Sequence, residues 1–270
     1  MSFSAGLDVL LRPSEIRLVR RSALLGRLGK KVTSRAVVPE AGAEPWRACV
    51  EALGGMLETS GATTSMDVVV SDHFLRYALV PWSKDLVRDA ERLALAKLTF
   101  SQIYGSMADD WVITIGEQKV GRASLACAID RGLLQAVQAV ARQRGVRMRS
   151  LRTALVERLN RHRRLLREDE FCFASIEPQR LTLAFHGKAG WLAVRSRRVA
   201  AVIAEQLADV LKQEAAAAGT REGGTLYLVS ESPTESLPAQ LAGWRVVRLR
   251  ERVGVRKPLA ATPPARALAD

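Results

Sequence analysis

An order of secondary-structure signals that occurs twice constrains this chain more than any other feature. Near the start, residues 5–11, 15–20 and 31–38 alternate or run apolar as strands, with Pro13-Ser14 marking the first turn and Gly26 with Gly29 the second. Pro45 then opens a helix through Leu57, with Trp46, Val50, Leu53 and Leu57 on one face. Met66-Asp67-Val68-Val69-Val70 is a short strand of the fully buried type. The same order returns from Phe171. Strands at 171–176 and 180–185 flank Pro178, and His186–Gly190 turns into a third strand, Trp191–Arg195. A helix from Val199 to Ala217 ends at Gly219 and is followed by a strand, Thr225–Val229. A short helix near Leu237–Leu241 and a last strand, Trp244–Leu249, complete the second copy. A chain that repeats strand–strand–strand–helix–strand is an α/β protein made of two similar halves.

Between the copies lies a different pattern. Phe74–Val80 reads as a strand, and Ser83 caps a helix whose Leu86, Ala90, Leu93, Phe100 and Tyr104 keep helical spacing up to Gly105. Strands at 111–116 and 122–128 follow. A helix then runs from Asp130 to Gly145, and Val146–Arg149 alternates as a strand. The expected organisation is a first half over 1–73, an inserted interaction subdomain over 74–150 and a second half over 151–252. The remainder, 253–270, is rich in Pro, Ala and Arg and is expected to be disordered.

The formal charge of +13 is unevenly placed. Ten arginines fall between Arg142 and Arg167, where Glu157 is the sole acid. Such a field attracts an anionic lipid surface, an acidic protein segment or nucleic acid. Arg158, Arg161, Arg163, Arg164 and Arg167 are the candidate anionic-surface patch; a plain solvated helix face is the bland alternative. No aromatic residues interleave these arginines and no DNA- or RNA-binding signature accompanies them, so sequence-specific nucleic-acid binding is not expected. Cys49, Cys127 and Cys172 are widely spaced and are expected as free buried thiols, with no metal site. No apolar run reaches the roughly 18 residues of a membrane span, and no export signal is read at the N-terminus. His73, His162 and His186 accompany no nucleophile motif.

The element order, the opening Gly6-Leu7-Asp8-Val9 with Ile16-Arg17-Leu18-Val19, and the stretch Ala126–Arg158 together resemble the actin-like superfamily. More narrowly they are similar to its FtsA/PilM group, with PilM-type pilus-assembly proteins and the cytoplasmic domain of GspL-type secretion proteins. The resemblance implies an actin-like, duplicated ribonuclease H-like fold with ATP and Mg²⁺ between the halves. Asp8 matches the aspartate of the first phosphate loop, but Val9-Leu10-Leu11-Arg12-Pro13 lacks the expected glycine, and Pro13 has no N–H to offer. The second loop matches Ser175-Ile176-Glu177-Pro178-Gln179, where Glu177 would repel a polyphosphate. The adenosine-contacting Gly-Gly should follow Thr225–Val229; Ser230-Glu231-Ser232-Pro233 stands there, and Gly223-Gly224 precedes the strand.

The resemblance therefore implies a non-catalytic scaffold with a degenerate nucleotide site and no cofactor, ATP with Mg²⁺ being the alternative. It also implies a place on the cytoplasmic side of the inner membrane, in a type IV pilus or type II secretion assembly. The partner would be the cytoplasmic N-terminal segment of a single-span membrane protein, bound by Tyr77, Leu79, Val80 and Trp82 with Arg147, Arg149 and Arg152. Two rival expectations remain. One is an active actin-like ATPase or sugar-kinase relative. The other is a ribonuclease H-like nuclease in which Asp8 and Asp72 hold a metal and a third acid is wanting.

Overall fold

The structure is a computed structural model. It describes residues 6–24, 27–60, 64–86, 88–117, 120–199, 203–220, 223–230 and 237–250. The expected disordered tail lies outside the described residues.

In chain order the elements begin with β1 (Gly6–Leu11), β2 (Glu15–Leu24), β3 (Arg27–Ala36), α1 (Arg47–Thr59) and β4 (Ser65–Val70). Next come β5 (Leu75–Val80), α2 (Asp89–Tyr104), β6 (Trp111–Ile115) and β7 (Ser124–Asp130). Then follow α3 (Arg131–Gln143), β8 (Arg147–Thr153) and α4 (Ala154–His162). The last are β9 (Phe171–Glu177), β10 (Arg180–Gly187), β11 (Gly190–Arg198), α5 (Ile203–Ala217), β12 (Gly224–Ser230), β13 (Gln240–Leu241) and β14 (Trp244–Leu249).

The duplication extends one strand further than the sequence suggests. The first sheet has the order β3-β2-β1-β4-β8 and the second β11-β10-β9-β12-β14-β13. In each, the first strand lies between an antiparallel hairpin partner and a parallel strand that follows a helix. A further parallel strand then joins, β8 beside β4 and β14 beside β12. β8 thus belongs to the first half. The boundary expected at 150 is corrected accordingly: α3 and β8 leave the insert, which keeps α2 and the three-stranded sheet β5-β7-β6.

The described residues divide into two compact units, one drawn from 6–75 and 129–157 and the other from 76–128 and 158–250. In the first, β4 is buried along its whole length, as a strand covered on both faces must be. In the second, Ile176, Leu181, Phe185, Leu207 and Leu226 are among the buried side chains joining β9, β10, β12 and α5. Each such side chain contributes about 2–3 kcal/mol of burial. The insert has its own small core, in which Phe100 and Ala96 of α2 pack on Ala78, Val80, Ala126 and Ala128 of its sheet.

Two local expectations are corrected. Ser83 accepts a hydrogen bond from the Asp85 N–H in a turn, and α2 begins only at Asp89, where the Glu91 carboxylate accepts from the Arg88 N–H. Residues 237–241 form no helix. Gln240-Leu241 instead pairs antiparallel with β14 through a turn at Ala242-Gly243, both with positive φ.

Candidate functional site

The site expected from the fold would be built on the first hairpin of each half. Leu11 pairs with Ile16 at the end of the β1–β2 ladder, and the Arg12 N–H donates to the Glu15 carbonyl at 3.1 Å. Only Pro13 and Ser14 remain to turn the chain. The Arg12 guanidinium bonds the Glu15 carboxylate at 2.8 Å and is itself buried. The second hairpin repeats this plan. Glu177 pairs with Arg180 across a two-residue turn of Pro178 and Gln179, and Gln179 adopts φ +60° without being glycine. A phosphate cradle needs successive backbone N–H groups converging on one point. A two-residue turn opening with proline has little of that to offer, in either half.

Glu177 has an internal partner. It ends the fully buried β9, is 1% exposed, and receives Arg158 Nη1 at 3.3 Å. The same nitrogen donates to Ser175 Oγ at 2.7 Å. Arg158 is 4% exposed, so it leaves the expected anionic-surface patch. The signal was present in the sequence: Leu155, Arg158, Leu159 and His162 fall on one helix face, and all four are buried. Arg161 is half-buried, while Arg163, Arg164 and Arg167 are exposed.

The acids of the first half are committed in different ways. Asp8 sits on β1, buried, directly beside Asp67 in the parallel β1–β4 register. Asp67 receives two residues of β8 because the β4–β8 ladder slips between Met66 and Asp67. That irregularity brings both Arg149 and Ser150 to its carboxylate, Ser150 Oγ at 2.7 Å. Burial pushes the Asp67 carboxyl up; hydrogen bonds from Ser150 and Arg149, with the charges of Arg149 and Arg152, outweigh it and hold it below the ordinary value. Asp72 is fully buried and its Oδ1 accepts the Leu155 N–H at 3.2 Å, while Thr153 Oγ1 accepts the Val156 N–H at 3.2 Å. Asp72 therefore satisfies the start of α4. Among the described residues no three His, Cys, Asp or Glu side chains gather as a metal site.

The expected partner-binding residues are spread over several environments. Tyr77 and Val80 are buried, Val80 in the insert core, which corrects their expected role as presented side chains. Leu79 is half-buried and Trp82 is 37% exposed. On β8, Arg147 is exposed, Arg149 is bound to Asp67, and Arg152 Nη1 bonds the Glu157 carboxylate at 2.8 Å. All three cysteines are buried and free, and burial pushes the Cys49 thiol up to about 12.

The third expected contact, at 231–233, lies outside the described residues. Gly223 and Gly224 have a structural use instead. Both have positive φ, and a Cβ on Gly224 would come within 3.1 Å of the Trp244 ring.

No family model matches the sequence, and no curated protein matches it. Solved structures do match. An actin-like ATPase-fold protein from Bacteroides thetaiotaomicron superposes with a TM-score of 0.59 at 9% identity, covering 86% of this chain and 84% of that one. The fold is actin-like. Two further similar structures are a PilM–PilN type IV pilus biogenesis complex (TM-score 0.58, 16% identity, 84% and 81% covered) and the cytoplasmic domain of EpsL, an inner-membrane component of the Vibrio cholerae type II secretion system (0.55, 16%, 91% and 90%). Among the described residues of this actin-like chain, no helix is long and apolar enough to cross a membrane.

Proposed function

We propose that this actin-like protein is a non-catalytic scaffold of a pilus or secretion assembly at the inner membrane, binding the cytoplasmic tail of a single-span membrane partner. The observation that carries the reading is the closure of both first hairpins by two-residue turns that open with proline. Polyphosphate needs a nest of N–H groups, and these turns are poorly suited to supply one. In the second half, Glu177 would repel an anion at this turn, and the buried Arg158 that could offset it is matched with Glu177. The likeness in fold to PilM in its complex with PilN, and to the EpsL cytoplasmic domain, supports the assembly context.

The docking element in this reading is β5, which lies at one edge of the insert's sheet. An extended tail adds there as a further strand, with Leu79 and Trp82 supplying apolar contact. The test is a pull-down using the cytoplasmic tails of co-encoded single-span membrane proteins. One of them binds, and Trp82→Ala weakens it about tenfold, in the range of an interfacial aromatic anchor. Capture of none of the tails would sink the reading.

A further inference from the structure

A sheet edge presents unpaired N–H and C=O groups, and charge, proline or brevity commonly keeps other strands off it. Most edges of this protein are kept off in that way. β3 carries Lys31, β8 Arg147, β11 Arg197 and β5 Arg76, and β13 has only two residues. β6 differs. It is the second edge of the insert's sheet, and Trp111-Val112-Ile113-Thr114-Ile115 is aromatic and β-branched, without charge or proline. The Gly116 N–H donates to the Leu125 carbonyl of β7 at 2.8 Å. Alternation along the strand then turns the N–H and C=O groups of Ile113 and Ile115 away from β7. No further strand pairs with β6 among the described residues.

The charge around this edge is opposite to that of the chain as a whole. Of 41 Lys and Arg, none falls between Leu98 and Gln118, where Asp109, Asp110 and Glu117 are the charged residues. All three acids are exposed, and Asp109 and Asp110 immediately precede β6. Leu98 and Ile103 of α2, with Met107 just beyond it, are exposed apolar side chains of the same stretch. An extended segment could pair with the open edge through its backbone, its apolar side chains lying beside Val112 and Thr114. Basic side chains on it would meet Asp109 and Asp110. A second copy of β6 is a poor fit, because antiparallel pairing about Ile113 sets Asp109 against Glu117. We infer that β6 binds an extended, basic and apolar protein segment by strand addition. The inference stands apart from tail docking, which uses the opposite edge of the same sheet, β5.

Fluorescence anisotropy of a labelled peptide, Lys-Arg-Val-Thr-Ile-Thr-Val-Arg-Lys, titrated with the full chain tests it. Saturable binding is expected. A peptide with Gly-Ser-Gly-Ser-Gly between the same basic ends binds about tenfold more weakly, having lost the side chains that pair across the edge. Thr114→Lys gives the edge the lysine it lacks and weakens binding of the first peptide about tenfold. Asp109→Asn with Asp110→Asn does the same, at about threefold for each acid. Trp82→Ala, which weakens tail capture at β5, leaves peptide binding within about twofold of wild type. No saturable binding, equal binding of the two peptides, or full retention in Thr114→Lys or in the double aspartate variant overturns the inference. So does a loss in Trp82→Ala as large as that in Thr114→Lys, which would move the peptide to β5. Should Thr114→Lys fail to fold, hydrogen exchange of the wild-type chain decides. The amides of 111–116 slow about tenfold with the peptide while those of 75–80 do not; unchanged exchange at 111–116 overturns the inference.

Discussion

Arg158 Nη1 lies 3.3 Å from the Glu177 carboxylate, with both side chains almost fully removed from water. Glu177, at the end of β9, is thereby held by an arginine from α4 of the same unit. Removing one partner leaves the other charge buried and unmatched. Arg158→Ala is therefore expected to cost about 3–5 kcal/mol in urea unfolding, and the double change Arg158→Met with Glu177→Leu to recover most of it. A strongly negative coupling in that cycle checks the pair; additive losses would show that the two do not act together.

Asp67 governs an acid-sensitive contribution. Its carboxyl is held below its ordinary value of 3.8, so its stabilisation is complete above that pH and is lost as pH falls through the lower folded value. Asp67→Asn is expected to cost about 1 kcal/mol at pH 7, Arg149 being partly exposed, and to flatten the loss of stability below about pH 4. Urea midpoints from pH 3 to 7 read both effects.

Asp72 and Thr153 share the start of α4, one accepting from Leu155 and the other from Val156. Asp72→Ala is expected to destabilise by about 1–2 kcal/mol and Thr153→Ala by about 1 kcal/mol. Asp72→Asn, which keeps an acceptor, should recover most of the loss in thermal unfolding.

Gln179 occupies a left-handed conformation at φ +60°. Gln179→Gly removes the Cβ penalty and is expected to stabilise by about 1 kcal/mol, less the greater freedom of glycine in the unfolded chain. Pro178→Gly should do the reverse, because the turn loses its fixed φ.

The duplicated order was legible because each strand and helix leaves a local period in the sequence. The membership of β8 was not. Its partner β4 ends at Val70, and the whole insert separates the two strands along the chain. Neither was the slip that sets Arg149 and Ser150 together at Asp67, since a ladder irregularity has no period of its own. Arg158 was misplaced for another reason. Charge counting treated the arginines of 142–167 as one field, while the helical period places Arg158 between Leu155 and Leu159 on the buried face. At Trp82 the opposite holds: adjacency to an apolar strand suggested a contact region, and it is the most exposed of the four residues expected there.

We propose that this protein acts through its surfaces and not through nucleotide binding. Calorimetric titration of the full chain with Mg-ATP tests it most directly. No heat beyond dilution is expected up to millimolar nucleotide, and no change on Asp8→Asn. Micromolar binding that Asp8→Asn abolishes would contradict it.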